Sequence, residues 1–369
     1  GNDIITGGAG NDIITVDSGT DTVTDLGGGG SGGDDDVVIV SSGAKLNATG
    51  VVDFSATSAT KNNATDAGSA VLAAASGGST MNVSAATGSA VSFTLTGGAG
   101  ADIITGSTGA DIITGAGAVD TIDGGGAVDT ITGGAGNDII TGGAGNDIIT
   151  VDSGTDTVTD LGGGGSGGDD DVVIVSSGAK LNATGVVDFS ATSATKNNAT
   201  DAGSAVLAAA SGGSTMNVSA ATGSAVSFTL TGGAGADIIT GSTGADIITG
   251  AGAVDTIDGG GAVDTITGGA GNDIITGGAG NDIIVIGTAG EADGDTIDGG
   301  ADDDVLKLST GGTDTFSTDN KLQNVETIQA HASGSTVVLT GQTEAFTVTG
   351  AGGADTITGG NAVDTIDGG

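Results

Sequence analysis

The nine residues GGAGNDIIT at 142–150 recur letter for letter at 133–141 and 268–276. So short a period is the strongest constraint on the fold, because such a unit cannot bury a core alone and must stack on its neighbours. Written as GGxGxDxUx, with U a large aliphatic, the unit has two parts. Positions 7 to 9 read IIT, TIT or TVT; these β-branched residues favour a short strand that turns U to one face. Positions 1 to 6 are rich in glycine, which permits positive φ and close approach of backbone carbonyls. Two units would make one coil of 18 residues, and coils repeating at about 4.8 Å would stack U into a thin continuous core. The expected fold is all-β, a parallel β-roll or β-solenoid. Over the longest run U is Ile104, Ile113, Ile122, Ile131, Ile140, Ile149 and Val158.

A longer repeat encloses the short one. Residues 1–135 recur without substitution as 136–270, and a third copy begins at Gly271 and departs after Ile284. Nonads occupy 1–36, 97–171, 232–307 and 350–369. Between them, 37–96, its copy 172–231, and 308–349 are rich in Ser, Thr and Val. Alternating stretches there, such as SAVSFTLT and FTVT, favour strands. These segments are expected to be strand-rich modules that interrupt the nonads yet continue their architecture, rather than linkers. Residues 66–76 (DAGSAVLAAAS) are the one stretch expected to form a turn or two of helix.

The 369 residues include 46 acids against six lysines, a net charge of −40. Only Glu291, Glu326 and Glu344 are glutamates, which leaves 43 aspartates. Solubility alone would not select so strongly; a short carboxylate held close to the backbone suits tight turns and ligation of hard cations. Stacked coils would set each position-6 aspartate over its equivalent 18 residues later: Asp102 over Asp120, Asp111 over Asp129, Asp120 over Asp138. Like charges that close repel by roughly 1 kcal/mol per pair in water and about 4 kcal/mol at a lower effective dielectric. Six lysines cannot offset this. Ca²⁺, which takes about six to eight oxygens in flexible geometry, can, using carboxylates and turn carbonyls of two successive loops on one side. Multiple Ca²⁺ ions are therefore the expected cofactor. The candidate ligands are Asp3, Asp12, Asp21, Asp102, Asp111, Asp120, Asp129, Asp138, Asp147, Asp156, Asp237, Asp246, Asp255, Asp264, Asp273, Asp282, Asp295, Asp304, Asp355 and Asp364.

The nonads resemble the RTX (repeats-in-toxin, hemolysin-type calcium-binding) motif, and GGAGNDIIT matches its GGxGxDxUx pattern in full. The resemblance implies a calcium-filled parallel β-roll, with ions held between loops by the position-6 aspartates and backbone oxygens. It also implies type I export from a Gram-negative-type bacterium and folding outside the cell. Some nonads depart from the pattern. Ala118, Ala127, Ala253 and Ala262 stand at position 4, where alanine is strained if the backbone needs positive φ. Sites at Asp120, Asp129, Asp255, Asp264 and the similar Asp364 are accordingly expected to be weaker or empty. Val151-Asp152-Ser153 replaces the opening glycines of its nonad, as a unit closing a stack would. The triple-Asp stretches 34–36 and 302–304 precede VVIV and VLKL, where loop geometry is expected to change.

Other functions find little support. With so few cations, nucleic acid is excluded as a partner, and no apolar run approaches the roughly 18 residues of a membrane-spanning helix. The chain starts in mid-motif without a signal segment, as expected of part of a longer polypeptide. It lacks cysteine, so no disulfide staples it. Residues 29–33 and 164–168 formally satisfy GxSxG, but a nucleophile elbow needs a following helix and a nearby histidine, and the only histidine is His331 in another segment. Gly27, Gly29 and Gly32 fit a dinucleotide fingerprint on paper without its βαβ context. No enzymatic activity is expected. N-x-S/T triplets at Asn47, Asn63 and Asn82 leave glycosylation open.

The long identical copies point to an extracellular structural protein that self-associates into a surface layer, sheath or fibre, with cell-surface polysaccharide as a further partner. The 322–360 region is loosely similar to segments of RTX-type surface-layer and cell-surface proteins. A calcium-stiffened stalk of a large RTX adhesin is the alternative. The C-terminal secretion module of an exported enzyme or toxin fits less well, since such tails are usually plain nonad runs.

Overall fold

The computed structural model describes residues 1–27, 36–64, 70–88, 91–162, 170–199, 205–223, 226–287 and 292–369. The chain divides into two units, Gly1–Ala183 and Thr184–Gly369. Among the described residues every regular element is a β-strand, and the described strand pairs run parallel. The chain is a parallel β-solenoid.

In the first unit, consecutive nonads send their strands alternately to two sheets. One carries Ile4–Ile5, Gly19–Val23, Ala44–Val51, Ala70–Ala74, Thr94–Thr96, Ile112–Gly117, Thr130–Ala135, Ile148–Val151 and Val172–Val175 in that order. The other carries Phe54–Ser55, Thr80–Asn82, Ile103–Thr105, Thr121–Gly126, Ile139–Ala144 and Thr155–Val158. A three-stranded sheet joins Ile13–Val16, Val37–Val40 and Lys61–Asn62. Register is set by the 18-residue coil: Ile113 pairs with Ile131 and Ile131 with Ile149, while Ile104, Ile122, Ile140 and Val158 align on the other sheet.

Residues alternate across a strand, so U points inward and its neighbours outward. All seven U residues of the long run are at most 1% exposed, whereas Ile112, beside Ile113, is 47% exposed. Each buried aliphatic contributes about 1.5–3 kcal/mol, and the column of them is the core.

The second unit repeats this plan. Ala205–Ala209, Thr229–Thr231, Ile247–Gly252, Thr265–Ala270, Ile283–Ile286, Val305–Leu308, Thr327–Gln329, Thr347–Thr349 and Thr365–Asp367 form one sheet. Phe189–Ser190, Thr215–Asn217, Ile238–Thr240, Thr256–Gly261, Ile274–Ala279, Thr296–Ala301 and Leu322–Gln323 form the facing one.

The Ser/Thr/Val modules lie on the same ladders. Val37–Val40 pairs with Ile13–Val16, and Ala44–Val51 with Gly19–Val23. They also supply every phenylalanine of the chain: Phe54, Phe93, Phe189, Phe228, Phe316 and Phe346 are each at most 2% exposed. One expectation fails here. Within 66–76, Ala70–Ala74 is a strand rather than helix, paired with Ala44–Val51 through Leu46–Ala70 and Ala48–Leu72; 65–69 lie outside the described residues. The neighbouring ladder imposes a period of two, and Ala70 and Leu72 fill its inward positions, which outweighs alanine's helix propensity.

Several strands are longer than the three residues expected. Ile112–Gly117 and Thr121–Gly126 run on through positions 1 to 3 of the next nonad, so that Ala116 pairs with Gly134 and Gly125 with Gly143. Ile103–Thr105 and Thr94–Thr96 stop at three. The difference matters for the site.

Candidate metal centre

Position 6 lies two residues before U, so its side chain shares U's inward face. The aspartates are thus drawn to the edge of the core. Asp120, Asp129, Asp147, Asp156, Asp255, Asp264, Asp282 and Asp304 are fully buried. Asp102, Asp111, Asp138, Asp237, Asp246, Asp273 and Asp295 are 1% exposed, and Asp21 4%. Asp12, Asp355 and Asp364 are half-buried and Asp3 is exposed.

Stacking links them into columns. The Asp120 Oδ1 accepts the Asp102 backbone N–H at 2.7 Å, Asp138 accepts from Asp120 at 2.9 Å, and Asp156 from Asp138 at 3.0 Å. Across the other sheet, Asp129 accepts from Asp111 at 2.6 Å and Asp147 from Asp129 at 2.7 Å. Asp255, Asp264, Asp273 and Asp282 repeat the arrangement in the second unit. Asp295 and Asp304 extend it over a 22-residue coil, and Asp21 accepts from Asp3. The expected superposition of equivalent aspartates is present, with a backbone donor between each pair.

The second carboxylate oxygen distinguishes two kinds of loop. In closed loops it accepts the N–H of position 2 of its own nonad: Gly98 to Asp102 and Gly233 to Asp237 at 2.7 Å, Ser107 to Asp111 and Ser242 to Asp246 at 2.6 Å. Ala351 to Asp355 and Gly360 to Asp364 complete the set. In open loops position 2 takes positive φ instead, as at Gly8, Ala116, Gly125, Gly134, Ala251, Gly260, Gly278 and Gly300. The Oδ2 atoms of Asp12, Asp120, Asp129, Asp138, Asp255, Asp264, Asp282 and Asp304 are then buried without a hydrogen-bond partner, as is that of Asp156. A buried carboxylate oxygen without a donor is costly, and it calls for a cation or a proton.

Burial is the main cause that raises these carboxyl pKa values, and neighbouring aspartates add to it. Asp129 and Asp264 are pushed up to about 8, Asp156 to about 7, and Asp120, Asp255 and Asp304 to about 6. Asp111, in a closed loop, is raised to about 6 by burial while the Ser107 and Phe93 N–H groups hold it down.

The glycines let carbonyl oxygens reach the same place. A Cβ on Gly115 would lie 2.3 Å from the Gly133 carbonyl oxygen and 2.4 Å from Asp120 Oδ2, and one on Gly124 2.4 Å from the Gly142 carbonyl oxygen and 2.6 Å from Asp129 Oδ2. Such carbonyls are needed, because no three His, Cys, Asp or Glu side chains converge on one point among the described residues. Hard oxygen donors of this kind, negatively charged and not yet satisfied, fit Ca²⁺. The position-4 alanines do adopt the strained conformation, with φ of 68° at Ala118, 71° at Ala127, 73° at Ala253 and 68° at Ala262. Their loops are nonetheless open, like the all-glycine ones.

Sequence reading passed over several residues. Asp36 and Asp171 occupy position-6 places 24 residues after Asp12 and Asp147, whose N–H groups they accept. Glu326 does the same for Asp304. Asp314 is fully buried within the strand Thr313–Thr315, paired with Val337. The available signal was an acid directly before an alternating strand, DVVIV or ETIQ, obscured by the missing glycines. Both GxSxG segments, 29–33 and 164–168, lie outside the described residues, and so does the 27–32 fingerprint apart from Gly27. His331 is half-buried and its ring Nδ1 hydrogen-bonds the Ser333 hydroxyl.

A family model for the RTX calcium-binding nonapeptide repeat matches residues 1–23, 96–131, 123–158, 231–264, 258–287, 289–313 and 347–369, together more than half of the chain. No curated protein matches it significantly.

Proposed function

The chain belongs to the RTX calcium-binding nonapeptide repeat family, and from that premise we propose that it is an extracellular structural protein, folded and stiffened by Ca²⁺ and assembled into a surface layer, sheath or fibre. The observation that carries this reading is the columns of buried aspartates with unpartnered oxygens, Asp120, Asp129, Asp138 and Asp156 in the first unit and Asp255, Asp264 and Asp282 in the second. Cations seated beside them would join successive coils and would turn binding free energy into folding free energy. In a cytosol poor in calcium the same charges keep the chain open for export. Outside, millimolar Ca²⁺ matches sites of roughly 10⁻⁴–10⁻³ M affinity.

Repetition supplies length and lateral contacts rather than one pocket, and this favours assembly over catalysis or ligand capture. The protein acts on no substrate in this reading. Self-association and contact with surface polysaccharide follow from the same design. Electron microscopy of the purified chain tests it: ordered lattices or filaments with Ca²⁺ that disperse in EGTA are expected. Isolated rods at every concentration would overturn assembly and favour an adhesin stalk.

A further inference from the structure

We propose that the aspartates of the closed loops, Asp102, Asp111, Asp237, Asp246, Asp355 and Asp364, are metal-independent latches, and that divalent cations enter only beside the open loops. The inference rests on the calcium reading above and decides which nonads serve it.

Both carboxylate oxygens of each latch are already used. Asp102 Oδ1 accepts the Ser79 N–H at 2.7 Å while Oδ2 accepts that of Gly98 at 2.7 Å. Asp111 is held by the N–H groups of Phe93 and Ser107 and also by the Ser107 hydroxyl at 2.9 Å. Asp237 and Asp246 copy these contacts. Asp355 binds the N–H groups of Ser335 and Ala351, and Asp364 those of Phe346 and Gly360. A cation at such a carboxylate would compete with an N–H donor at either oxygen, whereas an open-loop carboxylate keeps one oxygen with no donor at all.

The cause lies in the preceding coil. A Cβ on Gly98 would meet the Ala75 carbonyl oxygen at 2.1 Å, one on Gly109 that of Val91 at 2.2 Å, and one on Gly360 that of Gln342 at 2.9 Å. Each closed loop therefore stacks on a Ser/Thr/Val module, which places Ser79, Phe93, Ser214, Phe228, Ser335 or Phe346 where a nonad would place its position-6 aspartate. Its position 2 stays out of the positive-φ region and turns its N–H back to the carboxylate. The open loops at Gly134 and Gly278, which carry Asp138 and Asp282, stack on the nonads at Ala116 and Gly260. There position 2 joins the ladder, its N–H leaves, and the second oxygen is stranded. The modules thus choose which nonads bind metal, and each run that follows a module, at 97, 232 and 350, starts on two loops whose shape needs none.

Ion counting on the full chain tests this, by equilibrium dialysis against CaCl₂ and elemental analysis. The double variant Asp102→Asn/Asp111→Asn should keep the wild-type number of bound Ca²⁺ ions, whereas Asp120→Asn/Asp129→Asn should lose ions. Equal losses in the two variants would overturn the proposal. Because asparagine can weaken the latch itself, amide hydrogen exchange on the calcium-loaded wild type provides a second measure. Gly98, Ser107, Gly233 and Ser242 amides should be protected; free exchange at these four would mean that an ion has taken their acceptor. A chain that bound no Ca²⁺ at all would instead overturn the calcium reading, and the latch proposal with it.

Discussion

Chelating calcium from the protein at pH 7.5 should unfold the nonad runs, and the structure sets the scale. Asp102, Asp120, Asp138 and Asp156 stand one above the next on one side of the first unit. At an interstrand separation of about 4.8 Å, adjacent carboxylates repel by about 3.5 kcal/mol at an effective dielectric near 20. The three contacts in this column alone oppose folding by about 10 kcal/mol, as much as the stability of an ordinary domain, about 5–15 kcal/mol. The backbone N–H between each pair returns part of this, about 1.5–3 kcal/mol per charged bond. Protons can substitute for calcium. The folded-state pKa values, about 8 for Asp129, about 7 for Asp156 and about 6 for Asp120, lie above the usual carboxylate value near 4. The folded chain therefore holds protons that the unfolded chain releases. This stabilisation is complete below pH about 4 and is lost as pH rises through about 8. Far-ultraviolet circular dichroism in EGTA should show little β signal at pH 8 and a recovering one as pH falls toward 5, while excess Ca²⁺ restores it at any of these values. A chelated chain that kept its full signal at pH 8 would refute the reasoning, as would one whose β content fell on acidification.

Three further outcomes follow from packing. Ile131→Ala, between Ile113 and Ile149 in the core, should lower stability in calcium by about 2–5 kcal/mol, against under about 0.5 kcal/mol for the outward Ile112→Ala; chemical denaturation compares them. Gly143→Ala would drive a Cβ to 2.2 Å from the Gly125 carbonyl oxygen at a φ of 101°. It should lose roughly 1–3 kcal/mol from backbone strain alone and fold only at higher Ca²⁺ in a titration followed by circular dichroism. Ser107→Ala removes a hydroxyl donor from the buried Asp111 and should lower the thermal midpoint by the equivalent of about 1–2 kcal/mol, with and without calcium alike.

Much of the protein was legible in its sequence because the repeat is local. Nine residues specify a strand, a turn and an inward pair, the aspartate and U, and copying fixes the stacking register, so that Ile113 over Ile131 and Asp120 over Asp138 follow from the period alone. The strand at Ala70–Ala74 did not follow. Its alanines suggest helix until a neighbouring ladder claims them. The roles of Asp36, Asp171 and Glu326 were equally hidden, since the spacing that aligns them is 22 or 24 residues rather than 18. The tertiary structure alone decided which carboxylates are satisfied. GGAGADIIT at 97–105 and GGAGNDIIT at 133–141 are almost the same string, yet Asp102 is latched by Gly98 while Asp138 keeps an unpartnered oxygen. The nonad fixes where its aspartate points; the coil beneath, a module or another nonad, determines whether position 2 has an N–H to give it.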